Sequence, residues 1–281
     1  MAAARALVVR ALLGLACLAG IALLAPGAPG ATGAGFTSTT GTTASLAAAP
    51  SFYAGTVQAD TPVLYWRLGE ASGTVAADVM GTYPGTYSGT LTQGVTGKTP
   101  DGDTATDFSG TTGRVRTVNG ALTFAGTAPF SLEAWVKVGD TTAGTTYQYG
   151  RVFTSELTNA QGRQGYNVHR GNTYSVSGAL NTYFCFERYR DGVYSGQCTG
   201  NVTVAAWHHL VFTYNGSTLR IYVDGTLQSS AASTVSLLAG TQPLSVGSGP
   251  TNAFYGTIDE AAVYDYALTL TQIQAHRARA G

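Results

Sequence analysis

Residues 130–138 read Phe-Ser-Leu-Glu-Ala-Trp-Val-Lys-Val, and apolar residues hold every second position of this stretch. A period of two over nine residues predicts a strand with one face turned into a core. Residues 207–214 (WHHLVFTY) predict a second strand. An Asn-Gly pair at 215–216 ends it before residues 219–224, and such a pair tolerates the positive φ that tight hairpins need. The stretch therefore predicts antiparallel sheet structure.

Other parts of the chain carry the same kind of signal. Short strands are predicted at 64–68, 114–118, 149–156, 165–169, 183–188, 243–246 and 255–266. More than ten short strands with Gly-rich turns predict two packed antiparallel sheets. One short helix is predicted at the C-terminus, where Thr269 suits an N-cap and Gln272 has the capping-box spacing. The fold class is therefore all-β, a two-sheet antiparallel sandwich closed by one C-terminal helix.

The composition excludes several classes of protein. Only 11% of the residues are charged, with 15 Lys and Arg against 15 Asp and Glu, and 44% are hydrophobic. A disordered chain would carry more charge and fewer aromatic residues. A protein that binds nucleic acid through phosphates would need a basic excess or stripe, which is absent here.

The N-terminus has the pattern of a secretory signal. Two arginines, Arg5 and Arg10, precede an apolar run at 11–25, and small residues with prolines follow it. The alternative is a retained membrane anchor, but the apolar run is shorter than the ~20 residues that cross a bilayer. We predict a signal peptide at 1–31, a flexible Gly/Thr/Ala-rich linker at 32–51 and one domain at 52–281. The expected location is extracellular, in the medium or at the cell surface, with no stable membrane anchor after cleavage.

Four segments, in this order, resemble the laminin G-like, concanavalin A-like jelly-roll domain of secreted bacterial proteins. They are YWRLGE (65–70), FSLEAWVK (130–137), WHHLVFTY (207–214) with LRIYVDG (219–225), and GTIDEAAVY (256–264). The resemblance covers roughly residues 58–281. It implies the jelly-roll fold and not one function, because a fold hosts many activities.

The resemblance implies three classes of function. The first is a secreted, non-catalytic module that recognises a polysaccharide or a surface glycan. The alternative is an adhesive or structural protein whose partner is another extracellular protein. A glycoside hydrolase or polysaccharide lyase is the third. No nucleic-acid partner is expected.

Sugar recognition needs aromatic faces and planar polar groups. The chain offers several such residues outside the four segments that carry the family resemblance. The densest polar and aromatic cluster lies at 186–194. The candidate ligand-binding residues are Tyr149, Arg151, His169, Arg188, Tyr189, Tyr194 and Tyr255. For any single tyrosine the alternative is packing in a jelly-roll core, which uses many aromatic rings.

Cys185 and Cys198 are the only cysteines after the predicted signal peptide. In an exported protein such a pair is expected to form a disulfide. The bridge would staple a hairpin, and it would also stiffen the loop that carries the cluster at 186–194.

The resemblance also implies a structural calcium ion, because many members of the family bind one. Asp78 and Asp259 match acidic positions of the family, and calcium prefers carboxylate and carbonyl oxygens. The alternative leaves Asp78 as a turn cap and Asp259 as a buried, hydrogen-bonded carboxylate. The sequence contains no dense Asp-x-Asp array.

The sequence offers no recognisable catalytic site. The Glu-x-Asp-x-x-Glu pattern of glycosidases with a related fold is absent, and Glu133 stands alone on its strand. Asp259 and Glu260 are adjacent, so on a regular strand they would face opposite sides and could not flank one bond. We therefore predict that the protein is not an enzyme.

Overall fold

A computed structural model of the chain describes residues 52–281, except 110–111, 119, 121, 140–148, 175–179, 241 and 249–251. The predicted signal peptide and linker lie outside the described residues. The helices are α1 (Phe52–Ala59) and α2 (Leu270–Arg279). The strands are β1 (Leu64–Trp66), β2 (Val75–Ala76), β3 (Gly85–Ser88), β4 (Thr92–Thr96), β5 (Thr104–Asp107), β6 (Arg114–Arg116), β7 (Phe130–Val138), β8 (Tyr149–Asn159), β9 (Gly162–Tyr174), β10 (Leu180–Arg190), β11 (Val193–Cys198), β12 (Trp207–Tyr214), β13 (Thr218–Val223), β14 (Thr226–Ala232), β15 (Ser245–Val246) and β16 (Gly256–Tyr264).

The strands form two eight-stranded sheets. Sheet 1 has the order β14-β13-β12-β7-β16-β5-β4, and β1 also pairs with β16. Sheet 2 has the order β11-β10-β9-β8-β15-β6-β3-β2. The strand pairs of both sheets are antiparallel, including β7 with β12 and β9 with β10. The predicted two-sheet sandwich is confirmed.

The alternation of β7 places its apolar residues in the core between the sheets. Phe130, Leu132 and Val136 are fully buried there, against residues of sheet 2 such as Val168 and Phe186. The hairpin between β12 and β13 also forms as predicted. The side-chain oxygen of Asn215 accepts hydrogen bonds from the backbone N–H groups of the two residues after Gly216.

The outer face of sheet 1 is covered by the two helices. Tyr53 and Val57 of α1 and Ile273 of α2 pack against this face, where Trp135 and Tyr264 are fully buried. The capping box of α2 forms as predicted. Helix α1 was not predicted, because its eight residues include Gly55 and two β-branched residues and follow a long low-complexity segment. No helix among the described residues is long and apolar enough to cross a membrane.

Two bulges change which residues share a face. In β8 the pairing with β9 shifts between Arg151 and Phe153, so Val152 and Phe153 both enter the core. Arg151 and Thr154 therefore face outward together, which simple alternation would not allow. In β16 the pairing shifts between Asp259 and Ala262, and Glu260 in this bulge has a φ of 55°.

Candidate functional site

The outer face of sheet 2 carries rows of polar and aromatic side chains. Register partners place one such row across seven strands, from Thr86 through Arg116, Ser245, Thr154, Asn167 and Glu187 to Gly196. A second row runs from Glu156 through Gly165 and Tyr189 to Tyr194. A third joins Arg151, His169, Cys185 and Cys198. These rows bring side chains that are far apart in sequence onto one surface.

An aromatic pair lies at the β10–β11 end of this face. The rings of Tyr189 and Tyr194 stack with centroids 6.0 Å apart, and Tyr194 is 65% exposed. The guanidinium carbon of Arg163 lies 3.7 Å from the centroid of the Tyr189 ring. Arg163 also donates two hydrogen bonds to Glu156, at 2.6 and 2.7 Å, and Arg151 donates a third to the same carboxylate at 2.6 Å. The exposed ring of Tyr194 therefore packs on the ring of Tyr189, which contacts an arginine that is itself held by Glu156.

Glu187 organises the neighbouring part of the face. Its carboxylate accepts hydrogen bonds from the Tyr189 hydroxyl and from the Asn167 amide at 3.3 Å, and His169 Nδ1 lies 3.3 Å from it. Burial alone would raise the pKa of Glu187, but the hydrogen bonds from His169 and Tyr189 outweigh burial and leave that pKa below its usual value. The ring of Tyr149 meets that of His169 edge-on at 5.5 Å.

These side chains line two adjoining clefts. One has a volume of about 310 Å³ and is lined by Tyr149, Arg151, Arg163, Asn167, His169 and Glu187, with Asn252 at its side. The other has a volume of about 290 Å³ and is lined by Arg163, Glu187, Tyr189, Gly192 and Tyr194. Arg163 and Glu187 line both clefts, so the two are parts of one polar and aromatic surface.

Five predicted residues are brought together on this surface: Tyr149, Arg151, His169, Tyr189 and Tyr194. Arg188 does not join them. It points into the core, is fully buried, stacks on the Tyr214 ring at 3.5 Å and donates to the carbonyl of Gly126 at 3.0 Å. Its neighbours Glu187 and Tyr189 face outward, so strand alternation accounts for the difference.

Tyr255 also lies elsewhere. Its ring packs so closely on Gly139 that a Cβ there would come within 2.5 Å of it, and Tyr255 is not among the described residues that line the two clefts. The sequence did not single out Arg163, Glu156 and Asn167. Only the hairpin between β8 and β9 brings them to the candidate residues, and no local motif signals this placement.

The disulfide between Cys185 and Cys198 is present as predicted. The two cysteines are direct register partners on β10 and β11, and Cys185 lies opposite His169 of β9. The bridge therefore joins the edge strand that carries Tyr194 to the strand that carries Glu187 and Tyr189.

Glu133 sits on the other outer face, beneath the helices, in a fully buried polar network. Its carboxylate is contacted by His209 Nε2 at 2.7 Å and by His276 Nδ1 at 2.9 Å. The hydroxyls of Tyr53 and Tyr264 also donate to it. Burial would raise the pKa of Glu133, but the two histidines outweigh it and hold that pKa well below its usual range. Glu133 therefore links both helices to sheet 1 through hydrogen bonds, and its full burial leaves it inaccessible to a ligand.

The prediction that Asp259 and Glu260 face opposite sides is wrong. Because of the bulge at Glu260, carboxylate oxygens of Asp103, Asp259 and Glu260 all lie within 4.8 Å of one another. Both Asp259 and Glu260 are fully buried. Burial raises the pKa of Glu260 to about 7, even though Arg67 beside it lowers that pKa. A sugar chain has no access to this pair, so it does not provide an open carboxylate site.

The two predicted calcium ligands differ in their fit. The carboxylate of Asp78 accepts four backbone hydrogen bonds, at 2.8–3.1 Å, which is the turn-capping arrangement. Asp259 fits a cation better, because its Oδ1 is buried without a hydrogen-bond partner among the described residues. Its neighbours Asp103 and Glu260 would complete the set, although Arg67 Nη2 already lies 2.7 Å from Asp103 and 3.0 Å from Glu260.

Comparisons with known proteins agree with this architecture. Domain 4 of AbnA, a GH43 extracellular arabinanase from Geobacillus stearothermophilus solved with arabinotriose, is 17% identical with a TM-score of 0.53, and the match covers 76% of this chain and 97% of that domain. The botulinum neurotoxin serotype D binding domain is 12% identical with a TM-score of 0.58, and 79% of this chain matches 52% of it. A Trypanosoma rangeli sialidase with the inhibitor DANA is 16% identical with a TM-score of 0.52, and 76% of this chain matches 32% of the enzyme. Such low identities show the fold alone.

No curated protein matches the sequence. A family model, Laminin_G_3, described as the concanavalin A-like lectin/glucanases superfamily, matches residues 108–274. This range is more than half of the chain and spans most strands of both sheets. The resemblance noted in the sequence is thereby confirmed, and the chain belongs to the Laminin_G_3 family of concanavalin A-like jelly-roll domains.

Proposed function

We propose that the protein is a secreted, non-catalytic module that binds carbohydrate on the outer face of sheet 2. The observation that carries the proposal is the exposed, braced stack of Tyr194 on Tyr189, beside the polar groups of Arg163 and Glu187. A sugar ring has apolar C–H faces that pack on an aromatic ring and hydroxyls that take hydrogen bonds from fixed polar groups. Both requirements meet here.

The two outer faces also differ in accessibility. Helices α1 and α2 bury the outer face of sheet 1, whereas the clefts of about 310 and 290 Å³ lie on sheet 2. An adhesive protein surface would be expected to show a contiguous apolar patch. The exposed residues here are instead a mixture of tyrosine, arginine and carboxylate, which favours carbohydrate over the alternative of a protein partner.

The carboxylates of the clefts favour binding over catalysis. A glycosidase needs one carboxyl group that holds a proton at neutral pH. The pKa of Glu187 is lowered, and both oxygens of Glu156 are engaged by Arg151 and Arg163. Neither group is arranged as a proton donor.

Export belongs to the same proposal. The disulfide on the outer face of sheet 2 supports it, because such bonds persist in oxidising compartments. We expect the mature protein to begin near residue 32, which N-terminal sequencing of the secreted chain would check.

The test is affinity electrophoresis of the full chain in gels that contain one polysaccharide each, with neutral and acidic polymers in the panel. We expect retardation by at least one polymer and its loss in the Tyr189→Ala, Tyr194→Ala double variant. If the native chain migrates in every polysaccharide gel as it does in a gel without polysaccharide, the proposal is overturned.

A further inference from the structure

Two arginines project from the other end of the same face. Arg114 and Arg116 alternate on β6 around Val115, which is fully buried in the core, so both guanidinium groups lie on the outer side of sheet 2. They line a cleft of about 190 Å³ together with Thr154, Glu156, Gln242, Pro243 and Ser245. Two residues along a strand span about 6–7 Å, so the two cations face one small space.

The charge of these arginines is not neutralised within the described residues. Neither Arg114 nor Arg116 forms an ion pair there, and Nε of Arg114 is buried without a hydrogen-bond partner. Glu156 is the acid that lines the cleft, but Arg151 and Arg163 already hold it. Burial and the nearby Arg114 together lower the pKa of Arg116, as expected for like charges that face each other.

Thr154 adds an independent observation. It is 3% exposed and lines the cleft, and its hydroxyl has no hydrogen-bond partner among the described residues. A buried polar group without a partner costs free energy. The oxygens of a ligand in the cleft would accept hydrogen bonds from this hydroxyl and from the guanidinium groups of Arg114 and Arg116.

A row of register partners leads from the cleft at Arg114 and Arg116 to the clefts beside Glu187. Arg116, Ser245, Thr154, Asn167 and Glu187 follow one another across five neighbouring strands. With strands about 4.8 Å apart, the row from Arg116 to Glu187 is about 20 Å long. Such a length suits a chain of several sugars rather than a single sugar.

We propose that this cleft binds the carboxylate of an acidic polysaccharide, so that the ligand is a uronate-containing chain that crosses from Tyr194 to Arg116. The inference rests on the proposed function and names its ligand class. A planar guanidinium matches a planar carboxylate in two parallel hydrogen bonds, which an uncharged hydroxyl cannot reproduce. An anion would also relieve the repulsion between Arg114 and Arg116.

The test compares polygalacturonate oligosaccharides with their methyl esters, because esterification removes the charge and keeps the sugar backbone. Calorimetric titration of the full chain would use the Arg114→Gln and Arg116→Gln variants. The matched control is Arg220→Gln, which removes one cation from β13 in sheet 1. We expect the native chain to bind the acid at least tenfold more tightly than the ester, and each cleft variant to lose roughly tenfold in affinity for the acid. Arg220→Gln should bind like the native chain.

Equal affinity for acid and ester, or cleft variants that bind the acid as tightly as the native chain, would overturn the inference. The proposed function has a separate readout. If a neutral polysaccharide retards the native chain and the tyrosine double variant loses this retardation, the face binds sugar although the acidic ligand class is wrong. If no polysaccharide is bound, the proposed function itself fails.

Discussion

The guanidinium of Arg163 lies over the ring of Tyr189, 3.7 Å from its centroid, while the same side chain is paired with Glu156. Arg163 belongs to β9 and Tyr189 to β10, so the contact links two strands of sheet 2 across their outer face. Tyr189 in turn supports Tyr194 on the edge strand β11. A ring that is held in place before the ligand arrives loses less conformational freedom on binding.

Removal of the exposed ring should weaken sugar binding without unfolding the protein. Tyr194 is 65% exposed, and an aromatic contact contributes about 0.5–1.5 kcal/mol. We expect Tyr194→Ala to bind the retarding polysaccharide roughly two- to twelvefold more weakly, as measured by affinity electrophoresis. The melting temperature should change little.

Val193→Ala is the matched control for this variant. Val193 is the preceding residue on β11 and is also 65% exposed, but strand alternation turns it away from the ring pair. The two variants should differ in affinity and agree in stability. If both bind like the native chain, Tyr194 has no part in recognition.

The disulfide should contribute to the stability of the fold and to the order of the outer face of sheet 2. Cys185 and Cys198 are 13 residues apart, and a loop of that size corresponds to about 3 kcal/mol in the chain-entropy model. We expect the Cys185→Ser, Cys198→Ser double variant to lose about this much free energy of unfolding in urea titrations. Unchanged stability would show that the register of β10 and β11 is held by their backbone pairing alone.

The buried network around Glu133 predicts a particular dependence of stability on pH. Burial alone would lower the pKa of His276, but the carboxylates of Glu133 and Asp60 outweigh burial and raise it. A raised pKa stabilises the fold below the unfolded value of about 6.5, and this contribution is lost as the pH rises through the folded value. The lowered pKa of Glu133 acts in the opposite sense, and its contribution is lost on acidification below about 4.3.

His276→Gln isolates the alkaline side of this dependence. We expect the native chain to exceed the variant in free energy of unfolding at pH 5.5, and the difference to shrink by pH 8.5, because the histidine of the unfolded chain gives up its proton above about pH 6.5. The pH values are chosen about one unit below and two units above the unfolded pKa of histidine. Urea titrations at both pH values measure this difference in free energy of unfolding. A difference that stays constant would mean that the charge of His276 does not contribute to stability.

Calcium, if the family's structural ion is bound here, should depend on Asp259 and not on Asp78. The oxygens of Asp259 converge with those of Asp103 and Glu260, whereas those of Asp78 are taken by backbone amides. We expect millimolar calcium to raise the melting temperature of the native chain and of Asp78→Asn, but not that of Asp259→Asn. With and without calcium, Asp78→Asn should have a lower melting temperature than the native chain, because its turn loses an ionised cap. An unchanged melting temperature of the native chain in calcium would show that no calcium ion stabilises the fold at Asp259.

The strands could be predicted from the sequence where their pattern is local. The alternation of β7 and the Asn-Gly turn at 215–216 each depend on residues close in the chain, and both structures form as expected. The capping box of Thr269 and Gln272 is equally local. Local rules of this kind need no knowledge of the partner strand.

The candidate site could be predicted only in part, because bulges and partner strands decide its composition. The extra residue in β8 keeps Arg151 on the face of Thr154, and the bulge at Glu260 brings two carboxylates together against the expected alternation. Arg188 lies among polar and aromatic sequence neighbours, yet it shares the inward face of Phe184 and Phe186, so the alternation of its own strand is the local signal that places it in the core. For the two bulges, in contrast, nothing within a few residues signals the outcome.

The most direct test of the proposed carbohydrate site on sheet 2 is hydroxyl-radical footprinting of the full chain, with and without the polysaccharide that retards it most. Tyr149 and Tyr194 report on the outer face of sheet 2, at 52% and 65% exposure, while Leu227 and Leu270 report on β14 and α2, at 47% and 45%. With matched radical doses, the ligand should protect both tyrosines from oxidation and leave the oxidation of both leucines unchanged. Protection of the leucines with unprotected tyrosines would place the ligand on sheet 1 or its helices and would contradict binding on the outer face of sheet 2.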